Sequence, residues 1–370
     1  MRIPRSRTVS RERAPPVGSS SIPRLSHRET GLTTTTTAVG NGVWNPWPLL
    51  ESDDARAAIR SLGETLRAVS FVNRLGELSI DAPENGELAA FALGKPVDAG
   101  VALGVLRSPA NLDALLGAGG ASVHDSGEIS LRFEVISDLR SMAILPFVRS
   151  SVDPELDSVY AGSDSWLLLE RAWQYGLRGR HAVDLGTGTG LVAAFLTTRF
   201  PHVLGTDLNP KAAATAMLGR ELNAPHVRER MSIAVNDVVS GLRPASFDFV
   251  CVNAPWVPNG KAKGRVYADG GATGFELPTR FLRDGTDLLA PDGVLVALCA
   301  DLHFADGRSP LTDLLGEIRS DGFTAKIVPT PEGHPFHTST LGASGVVPDL
   351  ASADHVTVVI HRPKNHVNTQ

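Results

Sequence analysis

Cysteine is scarce: Cys251 and Cys299 are the only two in 370 residues. Both lie in apolar, strand-like runs and read as buried reduced thiols; two thiols alone build neither a disulfide framework nor a metal site, and none is expected. An excess of positive charge is also missing. Lys and Arg total 35 against 40 Asp and Glu, a formal net charge of -5. The whole molecule therefore offers nucleic acid no attractive field, although a local basic groove is compatible with that balance. No run is long and apolar enough to span a bilayer, and Arg2, Arg5, Arg7, Arg11 and Arg13 are followed by no hydrophobic signal core. Cytoplasmic is the default location, with an organelle-targeting peptide as the alternative. What is abundant is apolar sequence, 42% of the chain, enough for true cores.

Residues 1–45 combine four prolines before residue 24 with the run Thr33 to Thr37 and read as a flexible leader. From Ser52 to Val69 the spacing of Ala55, Ile59, Leu62 and Leu66 predicts a helix. Phe71 to Leu78, Ala89 to Leu93 and Val101 to Leu106 continue a mostly helical region, and Leu112 to Leu116 predicts a short helix stopped by glycines. Ala121 to His124 and Ile129 to Ile136 then flank a hairpin turn. Helices followed by a hairpin suggest a small winged-helix-like unit, so residues 46–150 are expected to form an N-terminal domain. It has no basic recognition helix, which favours packing or substrate gating over DNA binding.

Residues 151–370 carry a different rhythm. A helix over 163–178, with Trp166, Leu169, Trp173 and Leu177 as its apolar side, precedes alternating strands and helices. Strands are expected at His181 to Leu185, Val203 to Thr206, Met231 to Val235, Phe247 to Val252, Gly293 to Ala300, Phe323 to Pro329 and His355 to His361. Thr273 and Glu276 read as a capping box. The pattern predicts an α/β fold: a Rossmann-like, doubly wound, seven-stranded sheet behind a small helical, winged-helix-like N-terminal domain.

The sharpest local signal is Asp184-Leu185-Gly186-Thr187-Gly188-Thr189-Gly190, where a strand turns into a helix. Glycines there permit a tight turn and bring bare backbone to a ligand. Residue 191 is Leu where a dinucleotide fingerprint needs its third glycine, which weakens the case for NAD. The next strand ends in Asp207-Leu208-Asn209, and a carboxylate in that place can accept from both hydroxyls of a ribose. Asn236-Asp237, after the third strand, is placed to border an adenine.

Together with Asn253-Ala254-Pro255-Trp256 after the fourth strand, these residues resemble the class I methyltransferases of the small-domain, HemK-like group, over roughly residues 155–362. That group includes the release-factor glutamine N-methyltransferases. The resemblance implies S-adenosyl-L-methionine as cofactor. It places Gly186 and Gly188 at the methionine portion, Asp184 near its amino group, Asp207 at the ribose, and Asp237 with its neighbours at the adenine; Thr187, Gly190, Leu208, Asn236 and Asn253 are the other expected cofactor contacts. Gly162-Ser163-Asp164-Ser165 would cover the cofactor. The group's acceptor motif has proline where this chain has Ala254. In it, the Asn253 side-chain oxygen and the next backbone carbonyl accept hydrogen bonds from the acceptor NH₂, and Trp256 packs on the planar group; Asn253, Pro255 and Trp256 are the candidate catalytic residues.

Tyr267 and Asp269, in a glycine-rich loop, are candidate substrate contacts, as are His334 and His337 nearer the carboxyl end. Lys261, Lys263 and Arg265 lie just before that loop, as a solvated loop or as contacts for an acidic substrate. The expected activity is N-methylation of an amine or amide in a small metabolite or a protein side chain. Alternatives are O-methylation with a histidine base, N-methylation of nucleic acid (disfavoured by the net acidity), an NAD-dependent oxidoreductase, for which no Tyr-x-x-x-Lys pair is placed, and a non-catalytic scaffold. A homodimer is left open.

Overall fold

The computed structural model describes residues 44–74, 78–79, 85–138, 140–146, 159–176, 179–332, 334 and 347–364. After the short helix α1 (Trp47–Glu51), the Ser52 side chain accepts from Ala55 N at 3.1 Å and opens α2 (Asp53–Ala68), with Asp53 and Asp54 favourably placed at the positive end of the helix dipole. Helices α3 (Gly86–Ala92), α4 (Ala99–Leu106) and α5 (Pro109–Gly117) pack with α2 around Ile59, Leu62, Phe91 and Leu115, all fully buried. Two small antiparallel sheets complete this region. Strands β1 (Val72–Asn73), β2 (Leu78–Ser79), β5 (Phe133–Asp138) and β6 (Met142–Pro146) form one, in the order β2-β1-β5-β6. The hairpin of β3 (Ala121–Val123) and β4 (Ile129–Leu131) forms the other.

The main sheet follows. Helix α6 (Ser163–Tyr175) leads into β7 (His181–Leu185), α7 (Leu191–Leu196), β8 (His202–Asp207), α8 (Pro210–Leu222), α9 (Pro225–Arg230), β9 (Met231–Val235) and β10 (Phe247–Asn253). Then come α10 (Asn259–Ala262), α11 (Glu276–Asp287), β11 (Leu289–Phe304), α12 (Pro310–Ser320), β12 (Thr324–Pro329) and β13 (Leu350–His361). The strand order is β12-β13-β11-β10-β7-β8-β9. Strands β7 to β11 are parallel to their neighbours, and only the pairs with β13 are antiparallel. Central β10 shows why the sheet needs helices on both sides: Phe249 and Cys251 enter one core, Val250 and Val252 the other, all fully buried. The chain order reverses between β10 and β7, so their carboxyl ends diverge there into a crevice.

Helix α8 belongs to two neighbourhoods. Asn209 caps it by accepting from Lys211 N at 2.9 Å, and Pro210 fills its first turn, where a missing N–H costs nothing. Its far end inserts Leu218 and Leu222 into the core of the N-terminal elements. Gly63 of α2 lies so close to this end that an added Cβ would stand 1.9 Å from the Leu222 carbonyl oxygen. Arg60 pairs with buried Glu221 at 2.6 Å, and Trp44 Nε1 donates to Thr215 Oγ1 at 3.1 Å. Residues 41–370 form one compact unit. Among the described residues no helix is long and apolar enough to cross a membrane, and no group of three or more His, Cys, Asp or Glu is arranged to hold a metal. Cys251 and Cys299 are buried free thiols.

Several elements differ from the sequence expectation. Part of the stretch expected to be helical after Phe71 is strand, because Val72 and Asn73 pair with Asp138 and Ser137 far along the chain. The expected strand Ile129 to Ile136 breaks at Arg132, and its second half pairs with β6 instead of continuing the hairpin. On α6 the buried face is Leu167, Leu168, Leu169 and Ala172. Trp173 is 49% exposed and covered by cations, with the Arg199 guanidinium 3.7 Å from its ring centroid. Thr273 and Glu276 do meet, with Thr273 Oγ1 donating to Glu276 Oε1 at 3.0 Å, but the helix N-cap is Phe275.

Candidate active site

At the carboxyl ends of β7, β8 and β10 lies a cleft of about 350 Å³, and every residue lining it falls between 159 and 281. Its floor is the turn after β7. Gly186, Gly188 and Gly190 all have positive φ, at 70°, 53° and 78°. The space around them differs. A Cβ on Gly186 would meet nothing nearer than Phe281 at 3.9 Å, so its bare backbone faces open cleft. A Cβ on Gly190 would lie 2.8 Å from Ala216 Cβ; this glycine lets α7 approach α8 and does not line the cleft, unlike the ligand contact expected of it.

Three carboxylates follow the strand ends. Asp184 is buried; its Oδ2 accepts from Thr187 Oγ1 at 2.7 Å and Ala193 N at 3.1 Å, while its Oδ1 lies 3.5 Å from Cys251 Sγ. Burial pushes its carboxyl up to about 6, against the hydrogen bonds, which favour the anion. Asp207 accepts from Gly188 N and Asn209 N, each at 2.9 Å, one bond per oxygen. Burial raises it too. Each oxygen keeps a second lone pair, so the carboxylate can still accept from a diol. Asp237 is half-exposed at the rim, 3.3 Å from Arg280. Leu208, 58% exposed, gives this end an apolar edge, and Asn236 lines it while donating to the Val238 carbonyl at 3.1 Å.

The other end of the cleft is built by Asn253, Ala254, Pro255 and Trp256. Asn253 Nδ2 donates to Asp164 Oδ2 at 2.9 Å. A carboxylate accepts only, so this bond assigns the two ends of the amide. The opposite atom, Asn253 Oδ1, is buried with no hydrogen-bond partner. Asp164, itself buried at the start of α6, is held in turn: its Oδ1 accepts from Ser165 N at 2.8 Å and Tyr160 OH at 3.1 Å. The Tyr160 ring stacks on Tyr267 with centroids 5.1 Å apart and planes 2° from parallel, and both rings line the cleft. Burial, then the neighbouring Asp164 carboxylate, pushes the Tyr160 phenol well above its usual range, so it stays a donor. Trp256 is half-buried and meets His355 edge-on at 5.8 Å.

The structure thus brings together Asp184, Gly186, Thr187, Gly188, Asp207, Leu208, Asn236, Asp237, Asn253, Pro255, Trp256 and Tyr267. It does not bring in Asp269, whose Oδ1 accepts from Gly271 N at 2.9 Å and shapes the loop from behind. His334 also stands outside the lining, its Nε2 3.2 Å from the Ser163 carbonyl and its ring stacked at 6.3 Å on buried His355. His337 lies outside the described residues. Tyr160 and Asp164 are the residues that sequence reasoning undervalued. Gly162 to Ser165 stood out as a cover, but nothing in the sequence pairs Asp164 with a residue 89 positions away.

The cleft suits an extended ligand with a polar sugar and an apolar ring: open space over Gly186, lone pairs on Asp207 and an exposed Leu208 occur in series. Residues 161–320 match the family model described as Methyltransferase small domain. Two curated relatives are ribosomal protein uL3 glutamine methyltransferases. The one from Bradyrhizobium diazoefficiens is 27% identical over 31% of this chain and 39% of its own length. The one from Xanthomonas campestris pv. campestris is 26% identical over 47% and 65%. The chain thus spans from about two-fifths to just under two-thirds of these relatives. Among solved structures, the E. cuniculi Mtq2–Trm112 complex is 20% identical, covers 56% of this chain and 99% of that one, and has a TM-score of 0.38. With the glycine turn, the acidic strand ends and the Asn253 motif on one cleft, the chain carries a methyltransferase small domain over residues 161–320 and is similar there to the HemK-like class I S-adenosylmethionine-dependent methyltransferases.

Proposed function

We propose that this protein methylates an amide or amine nitrogen, on a protein side chain or a small metabolite. The observation that carries the reading is the buried, unpartnered Oδ1 of Asn253 beside its Asp164-held Nδ2. A buried acceptor without a donor costs about 1–3 kcal/mol. An acceptor N–H arriving in the cleft relieves that cost and is oriented by doing so.

The cofactor, when bound, supplies an electrophilic methyl group on a sulfonium sulfur. Asp207 would accept from its ribose hydroxyls, and the turn at Gly186 would lie against its methionine portion. Asn253 Oδ1 accepts from the acceptor N–H, which turns the nitrogen lone pair along the line of attack. As the methyl carbon would pass from sulfur to nitrogen, with the broken C–S bond leaving its pair on sulfur as a neutral thioether, positive charge would grow on nitrogen and polarise the same N–H toward Asn253 Oδ1. Trp256 flanks the planar group and the Tyr160–Tyr267 stack excludes water. The proton that leaves the methylated nitrogen passes to solvent. Residues 46–150 act in this reading as a brace for α8 and not as a gate, since none of the described ones lines the cleft.

The names of the two relatives make a protein glutamine the first acceptor to test. Asn253→Ala should reduce turnover by roughly 100-fold, as loss of one preorganised polar contact does, with cofactor affinity by calorimetry nearly unchanged. Equal losses in both measurements would refute the role of Asn253. No S-adenosylmethionine binding by the unaltered protein would refute the activity.

A further inference from the structure

The segment between β10 and α11 leaves the sheet at Trp256 and is tied back beside it. Val257 N donates to the Ala268 carbonyl and Gly270 N to the Val257 carbonyl, both at 2.9 Å, while Asn259 N donates to the Gly271 carbonyl at 2.8 Å. The Arg265 carbonyl accepts from Ala268 N and Asp269 N, both at 3.0 Å, so the returning arm is fixed as well. This fold-back separates three basic residues that look equivalent in the sequence. Lys261 and Arg265 line the cleft, whereas Lys263, at a left-handed φ of 53°, is exposed and outside it.

Among the described residues no salt bridge reaches Lys261 or Arg265, and Arg265 Nε is buried without a hydrogen-bond partner. The carboxylates of the cleft are engaged elsewhere: Asp164 with Asn253, Asp184 with Thr187, Asp207 with two backbone amides and Asp237 with Arg280. The strand ends are thus acidic, and the wall near Trp256 is basic. A cation held in a cleft with an unsatisfied N–H is stabilised by a ligand that brings an anion.

On the methyl-transfer reading above, we infer that the acceptor carries an anionic group, carboxylate or phosphoryl, which Lys261 and Arg265 hold beside the Asn253–Trp256 segment. Arg265 supplies a planar fork that suits two oxygens, and Lys261 adds a compact charge.

Nitrogen–proton NMR of the arginine side chains tests this on the full chain saturated with S-adenosylhomocysteine. Inorganic phosphate and acetate are titrated separately. The expected result is a saturable shift of the Arg265 Nε–H signal, assigned by its loss in Arg265→Gln. In Lys261→Gln the midpoint should rise about tenfold, the worth of one charge-assisted contact. S-adenosylhomocysteine affinity should be unchanged in both variants. A stronger response to phosphate identifies a phosphoryl group, and a stronger response to acetate a carboxylate. No saturable shift with either anion overturns the inference. So does a loss of S-adenosylhomocysteine affinity in the variants, because the two cations then hold the cofactor's own carboxylate. Failure of the unaltered protein to bind S-adenosylhomocysteine refutes the methyl-transfer reading instead, and the same titrations without it still judge the cation pair.

Discussion

Asn253 has two nearly isosteric ends, and the neighbour that tells them apart is Asp164, whose carboxylate takes the NH₂ and leaves the oxygen for an incoming donor. Removing that neighbour leaves Asn253 in place but frees its amide to turn. Asp164→Ala should therefore lower turnover by roughly tenfold, less than the loss in Asn253→Ala, because part of the population keeps the productive orientation. Cofactor affinity should hold. A single-turnover assay beside a calorimetric titration separates the two effects, and full activity in Asp164→Ala would show that Asn253 is oriented by something else. The motif at 253–256 was legible from the sequence because its residues are contiguous. The Asp164 contact was not, because it joins the start of α6 to the end of β10. Asp269 and His334 misled for the opposite reason: both lie in polar, glycine-rich stretches that look like binding loops, yet one carboxylate holds a turn and the imidazole sits one layer behind Trp256.

At the level of elements, the parallel strands and the local hairpin of Ala121–Val123 with Ile129–Leu131 were easy to read, and short strands with distant partners were not. Strands buried on both faces, such as Phe247–Asn253, appear as dense apolar runs between turn residues. Strands of two residues, such as Val72–Asn73, owe their form to partners more than sixty positions away and carry no local period. Of the apolar side expected for α6, Leu169 is buried and Trp166 packs on the core, Leu177 lies outside the described residues, and Trp173 departs by facing outward under Arg199. Close packing of elements also distinguishes the glycines of the floor. Gly190→Ala combines a φ of 78° with a contact 2.8 Å from Ala216 Cβ, and it should destabilise by roughly 1–3 kcal/mol. Chemical denaturation should show that loss, while the folded fraction binds cofactor normally. Reduced affinity in the folded fraction, with no loss of stability, would place Gly190 at the ligand after all.

Across the whole molecule, two buried titrating groups act against each other. Asp184 is raised from 3.8 to about 6, so it binds its proton more tightly when folded; its contribution is full below pH 3.8 and is lost as pH rises to about 6. His355 is lowered from 6.5 to about 4, chiefly by burial and then by His334, so its contribution is full above pH 6.5 and is lost as pH falls toward 4. The windows overlap and the slopes oppose, so these two contributions partly cancel over the range they share. Asp184→Asn keeps an oxygen for both Thr187 Oγ1 and Ala193 N and removes the titration. The variant should be more stable than the parent near neutral pH by roughly 2 kcal/mol, a difference that shrinks on acidification and steepens the variant's acid loss. Urea midpoints measured across that range decide it; a constant difference would mean that Asp184 is not the group responsible.

Helix α8 ties this balance to the chain's capacity for change. Its first turn and the residue before it, Ala212 and Asn209, line the cleft, and its last turn is sunk among side chains contributed before residue 146. A half borrowed from another protein would have to reproduce the seat of Leu218 and Leu222 or tilt the rod that reaches the cleft. A substitution in the first half, even one far from the cleft, therefore reaches the cleft wall through this helix.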